Sequence, residues 1–310
     1  MKKILLSIAT LAFAGAVVAG ATGAFFTDTE TSTGNTFTAG SIDLKIDSTQ
    51  HYNGMVCVSG NDGYTWQAEE GTAETEYSYP RSEDACDGTW EETDLGGQKF
   101  FNFTDLKPGD NGEDTVSLHV YGNDAWGRVV MTNIVDGENG CTEPELEADP
   151  NCTDDGEGQL GGALNFNVWL DQGLIPGFQN RDEDGNAITI NGGQPADPTE
   201  GDNIWQKDTE PEVNITGMAS TTGAVTYDLW GTLSDAYSSY CSAYEANGAD
   251  DYTECQGLAS DGRMVGSTTY YFGVGWDLPA DTGNEVQSDT LKTDLSFEVV
   301  QRRNNSSKTF

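Results

Sequence analysis

Beyond its first two dozen residues this chain carries no apolar stripe of 3.6-residue period long enough for a sizeable helix. Its apolar residues fall in short alternating runs, cut apart by 38 glycines and by many Thr, Ser, Asn and Asp residues. Alternation at period two marks half-buried strands, and Gly, Asn and Asp supply the positive φ angles that tight turns demand. The clearest runs are 115–121, with Val116, Leu118 and Val120 on one face, and 164–171, with Leu164, Phe166, Val168 and Leu170 inward. Runs 268–276 and 292–300 are equally strong. Run 127–134 reads as the hairpin partner of 115–121. Residues 99–103 read as a strand entering Leu106-Lys107-Pro108-Gly109-Asp110, where Pro108-Gly109 suits the centre of a type II turn. The best helical candidate spans 227–244. The fold expected is mainly β, an antiparallel β-sandwich with long acidic loops, and 10% aromatic residues suffice to fill its core.

The amino terminus has the order of a secretory signal: Lys2 and Lys3, an apolar run over 4–19, then Gly20-Ala21-Thr22-Gly23. A cut there divides the chain into a signal (1–23), an N-terminal segment with a first strand (24–47) and a single sandwich domain with large insertions (48–310). The uncut stretch 4–26 is long enough to span a bilayer, but Gly and Thr interrupt it, so no stable membrane span is expected after cleavage. Export makes disulfides the default for the six cysteines. Fifteen pairings are open, and sequence proximity favours Cys57 with Cys86, Cys141 with Cys152 and Cys241 with Cys255. No Cys-x-x-Cys exists to suggest a zinc ribbon.

Charge narrows the partners. The chain carries 14 Lys and Arg against 52 Asp and Glu, a formal charge of −38, and loses two of the lysines with the signal. Such a surface repels nucleic-acid phosphates and anionic lipid heads. High salt or a cation-rich medium would screen most of these charges; clustered carboxylates could instead bind divalent cations.

Four pieces in order carry a resemblance: a signal ending before Ala24-Phe25, the segment Thr36-Phe37-Thr38-Ala39-Gly40-Ser41-Ile42-Asp43-Leu44, the turn 106–110, and the last strand-like run 295–301. Together they resemble the TasA/camelysin family of secreted proteins, processed by a dedicated signal peptidase. The matched pieces cover both ends and part of the first third, and leave 48–98 and 136–264 without a named motif. The resemblance implies a jelly-roll-like sandwich and a biofilm-matrix type of fibre. Camelysin-type relatives have also been classed as metallopeptidases.

Catalytic motifs are missing from the residues themselves. A zinc protease needs histidines at helical spacing with a carboxylate, and this chain has only His51, in a Gly-flanked loop, and His119, read as an exposed strand residue. No Gly-x-Ser-x-Gly, phosphate loop or dinucleotide fingerprint occurs. The expectation is a non-enzyme. The sharpest site is a calcium loop, with Asn180, Asp182, Asp184 and Asn186 at alternating positions around Gly185 and Asp171 as a further carboxylate. Position twelve is Asn191, not Glu, so an acidic turn without an ion stays open. Glycosylation triplets begin at Asn102, Asn151, Asn214 and Asn305.

Two functions follow. One is a fibre subunit whose N-terminal strand completes a neighbour's sheet, with Phe25, Phe26 and Phe37 as anchors and Ile42, Leu44 and Ile46 as the inward row. The other is a monomeric, calcium-stabilised secreted module. Its loops 49–98 and 172–212 would contact a glycan or protein through Tyr64, Trp66, Tyr77, Tyr79 and Trp90.

Overall fold

The computed structural model describes residues 41–69, 79–154, 156–178, 189–190, 194–195, 197–213, 223–242 and 255–310. Ile42–Phe310 forms one unit by itself. The strands, in chain order, are β1 (Ile42–Tyr52), β2 (Met55–Gly60), β3 (Gly63–Ala68), β4 (Trp90–Thr93), β5 (Asn111–Gly122), β6 (Ala125–Gly137), β7 (Asn165–Leu170), two-residue pieces β8 (Thr189–Ile190), β9 (Gln194–Pro195) and β10 (Glu212–Val213), then β11 (Gly223–Asp228), β12 (Thr268–Asp277) and β13 (Thr290–Gln301). The short helices are α1 (Glu143–Ala148), α2 (Leu160–Ala163) and α3 (Leu229–Ala236), the last running into a π-helical turn, Tyr237–Cys241. The fold is mainly β and antiparallel, as the alternating runs require.

The larger sheet has the order β10-β7-β12-β5-β1-β2-β3, with β4 also on β1; the smaller is β11-β6-β13. Inward rows from both sheets meet in one core. Ile46, Val116, Leu118, Val120, Leu170, Tyr270 and Phe272 come from the larger sheet, Val129, Leu295 and Phe297 from the smaller, and Leu229 and Leu233 from α3. Burying one such side chain is worth about 1.5–3 kcal/mol, so this row is what holds the sheets together. A second cluster of Tyr52, Met55, Cys57, Trp66 and Trp276, joined by Phe103 and Phe166, closes one end of the larger sheet.

Three expectations about local structure need correction. First, 127–134 is not the hairpin partner of 115–121. β5 pairs β1 and β12, whereas β6 pairs β11 and β13. The chain passes from one sheet to the other at 122–125, turning on Gly122 at φ 86°; two adjacent alternating runs cannot reveal whether they pair or face each other. Second, 101–103 forms no strand. Phe100 is buried against Trp90 and Phe297 instead. Third, 49–68 is not a loop. β1 runs unbroken through residue 47 to Tyr52, and Asn53 (φ 50°) and Gly54 (φ 72°) turn it tightly into β2. An Asn-Gly pair between apolar runs is the signature of such a hairpin turn.

The Pro108-Gly109 turn forms as expected, with Gly109 at φ 96° and the Asp110 N–H donating to the Lys107 carbonyl at 2.9 Å. Asp110 explains the motif around it. Its carboxylate accepts the Tyr52 hydroxyl at 2.7 Å, the Asn53 side-chain amide at 2.9 Å and the Lys107 N–H at 2.8 Å. The turn thus ties the end of β1 to the start of β5.

Candidate functional site

The inward row of β1 lies in the chain's own larger sheet. Ile42, Leu44 and Ile46 stand opposite Gly122, Val120 and Leu118 of β5, in an antiparallel register unbroken from Ile42 to Tyr52. On the other side of β1, β4 pairs from Ile46 onward, and β2 holds His51 and Tyr52. Phe25, Phe26 and Phe37 lie outside the described residues. In the smaller sheet, the twelve-residue β13 pairs β6, with a register shift between Lys292 and Asp294, and no other strand among the described residues. Half-buried Leu295, Phe297 and Val299 of β13, with Ile42 and Leu44 of β1, border the main core. A long outer strand offers a row of backbone donors and acceptors to an incoming chain.

Both histidines are placed otherwise than expected. His119 is buried, with Nε2 2.6 Å from Asp47 Oδ2 and Nδ1 2.9 Å from Thr269 Oγ1. The face opposite the core is not open to solvent at this point, because side chains enclose the ring: Asp47 and Thr269 from the neighbouring strands, Tyr121 stacked on it at 6.5 Å and Glu92 of β4 at 3.7 Å. His51 lies on β1, beside the Asn203 side-chain amide at Nδ1, and burial pushes its pKa down to about 4. His51 stands opposite Glu113, six residues along β5 from His119, a separation of about 20 Å at strand rise. The two imidazoles therefore cannot ligate one ion.

Of the calcium-loop set, Asn180, Asp182, Asp184 and Asn186 lie outside the described residues. Asp171 is fully buried, but both its oxygens are engaged: Oδ1 accepts the Gly201 N–H and Oδ2 the Asn203 N–H, each at 3.0 Å. It holds the 197–210 segment over β7, where Trp205 stacks on Trp169. Around it burial and mutual repulsion raise several carboxyls. Glu113 is pushed up to about 8 by burial and then by Asp171, Glu69 and Asp202. Glu210, beside Asp171, is raised by burial and by that neighbour's charge.

A second group of carboxylates, which the sequence reading missed, gathers at the end of the smaller sheet. Glu138 follows β6, Glu145 sits on α1, and Asp289 precedes β13; one carboxylate oxygen from each lies within 4.8 Å of the others. They come from distant points in the chain, so no local spacing marks them.

The three disulfides form as paired by proximity: Cys57–Cys86, Cys141–Cys152 and Cys241–Cys255. Asn102 and Asn151 are exposed, and the Asn305 side chain is held by the backbone of Thr309; Asn214 lies outside the described residues. Of the aromatic residues expected on a recognition face, Trp66 is buried in the second cluster and Trp90 donates its Nε1–H to the Ile46 carbonyl at 3.2 Å. Tyr79 leans on Tyr52, and Tyr64 is half-buried. Trp66 and Trp90 thus tie β3 and β4 to the body of the protein, while Tyr79 keeps an exposed face. Tyr77 lies outside the described residues.

A family model described as camelysin metallo-endopeptidase matches residues 1–55. The similarity ends with β1 and its turn, so it reaches neither the smaller sheet nor either acidic cluster. No curated protein matches the chain. Among the described residues no helix is long and apolar enough to cross a membrane.

Proposed function

We propose that this is a secreted surface protein that assembles into a fibre by strand addition between copies. Export is supported by the signal-like first 23 residues, by the similarity of residues 1–55 to the camelysin family and by three disulfides, which form in oxidising compartments. The single observation that carries assembly is the outer edge of β13, twelve residues long and paired on one side among the described residues. The incoming strand in this reading is the segment 24–40 of a second copy. Phe25, Phe26 and Phe37 supply its ring anchors, and the half-buried apolar residues of β13 and β1 receive them. Ile42, Leu44 and Ile46 hold the donor at its root, because they are committed to β5 within their own subunit.

A head-to-tail contact of this kind does not close on itself and propagates a filament. The reading assigns no enzymatic activity and needs no cofactor for assembly. It is tested by comparing the chain beginning at Ala24 with one beginning at Ser41, both checked for fold by circular dichroism. Filaments from the longer chain and monomers from the shorter are expected. Filaments from the shorter chain would remove the donor segment from the account.

A further inference from the structure

The carboxylates at the end of the smaller sheet share a pattern that an ordinary acidic surface lacks. Each commits one oxygen to the scaffold and keeps the other buried. Glu138 Oε1 accepts the Asn139 N–H at 3.1 Å, and Oε2 has no donor among the described residues. Glu145 Oε2 accepts the Thr142 N–H at 3.0 Å and the Ser288 hydroxyl at 3.2 Å, leaving Oε1 buried without a donor. Asp289 Oδ2 accepts the N–H groups of Gln159 and Leu160 at 2.6 and 3.0 Å, leaving Oδ1 in the same condition. Glu145 is 0% exposed and Glu138 6%. None of the ion pairs among the described residues reaches any of the three. Buried carboxylate oxygens without donors or a counter-charge are costly to leave so.

We propose that Glu138, Glu145 and Asp289 bind a calcium ion. The argument is independent of the fibre reading. Every available ligand atom is a hard oxygen, which suits calcium over a softer metal. Cys141 and Cys152 stand beside Glu138, but their sulfurs are spent in a disulfide and offer no thiolate. Calcium takes six to eight oxygens, and two more buried oxygens without donors lie on the same segments, Asp136 Oδ1 and Gln159 Oε1. Gln159 N–H already donates to Asp289, and the Asp136 and Asp289 carboxylates flank Gly158. Three ligands from three elements let one ion pin the end of β6, helix α1 with its disulfide, and the start of β13. The alternative for the same geometry is a proton shared between Glu138 and Asp289; burial and the neighbouring charges of Asp289 and Glu145 already raise Glu138.

Isothermal titration of the mature chain with calcium chloride, after treatment with chelator and in 1 M NaCl to suppress loose surface binding, decides between them. One saturable site is expected, with calcium preferred over magnesium. At calcium a hundredfold above Kd, Tm should rise by roughly 5–10 °C, and chelator should reverse the rise. Glu145→Gln and Asp289→Asn should abolish both effects, while Asp182→Asn with Asp184→Asn leaves them intact. The last pair separates this site from the 180–186 segment and also serves if the first two variants fold poorly. Absence of saturable heat in the wild type, or heat lost only in the Asp182 and Asp184 variant, would overturn the proposal.

Discussion

At the scale of single residues, polar groups set the geometry and the apolar rows follow. Asp110 shows this most directly, since one carboxylate gathers groups from β1, the β1–β2 turn and its own turn. Asp110→Ala leaves those donors without a partner, and the loss should lower stability by about 2–4 kcal/mol in urea unfolding. Glu113 gives a pH prediction. Its folded pKa stands above its ordinary value of 4.5, near 8, so the folded state binds the proton more tightly than the unfolded one. Its contribution is therefore fully present below about pH 4.5 and is lost as pH rises through 8. Glu113→Gln should flatten the fall in stability across that window and leave the variant more stable at pH 8.5, by roughly 1–3 kcal/mol after solvent screening. A variant whose stability still falls as steeply would assign the slope to other groups.

At the scale of elements, alternation told the strands but not their neighbours. The rows Val116-Leu118-Val120 and Val168-Leu170 face inward as their period dictates, because burial on one face forces period two. That 115–121 and 127–134 lie in different sheets depends on long-range pairing, which period alone does not encode. His119 follows the same rule: a polar residue opposite a core row is exposed only where no side chains pack over that face, and here Asp47, Thr269 and Tyr121 do. The Asn53-Gly54 turn is legible in the sequence, since Asn-Gly between apolar runs marks a hairpin. Gly273 on β12 was not legible; the Trp169 indole lies on it, and a Cβ there would meet ring carbons at 2.1 Å. Gly273→Val should displace that ring and its stack with Trp205, costing about 1–3 kcal/mol, read as a lower urea midpoint and changed tryptophan fluorescence. The three disulfide pairs, by contrast, followed from proximity alone. Each should stabilise by about 2–4 kcal/mol through restriction of the unfolded chain.

At the scale of the whole molecule, net charge and the proposed assembly pull against each other. A chain with formal charge −38 repels its own copies, and a contact between copies must overcome that repulsion. Going from about 0.1 M to 1 M salt shortens the Debye length from about 10 to 3 Å. Filament yield and Tm should therefore both rise with salt, whereas a neutral assembly would show little response. The candidate site was the least legible part of the sequence. The acidic run 180–186 stands out because its carboxylates are adjacent in sequence, while Glu138, Glu145 and Asp289 meet only once β13 has paired with β6 and α1 has folded beside them. The central claim is that residues 24–40 of one copy complete the sheet of another. Electron cryomicroscopy of particles assembled from the mature chain tests it most directly. The account predicts an extended segment from a neighbouring subunit along the outer edge of β13, with its phenylalanines turned toward Leu295, Phe297 and Val299; finding residues 24–40 folded against their own subunit within the filament would contradict it.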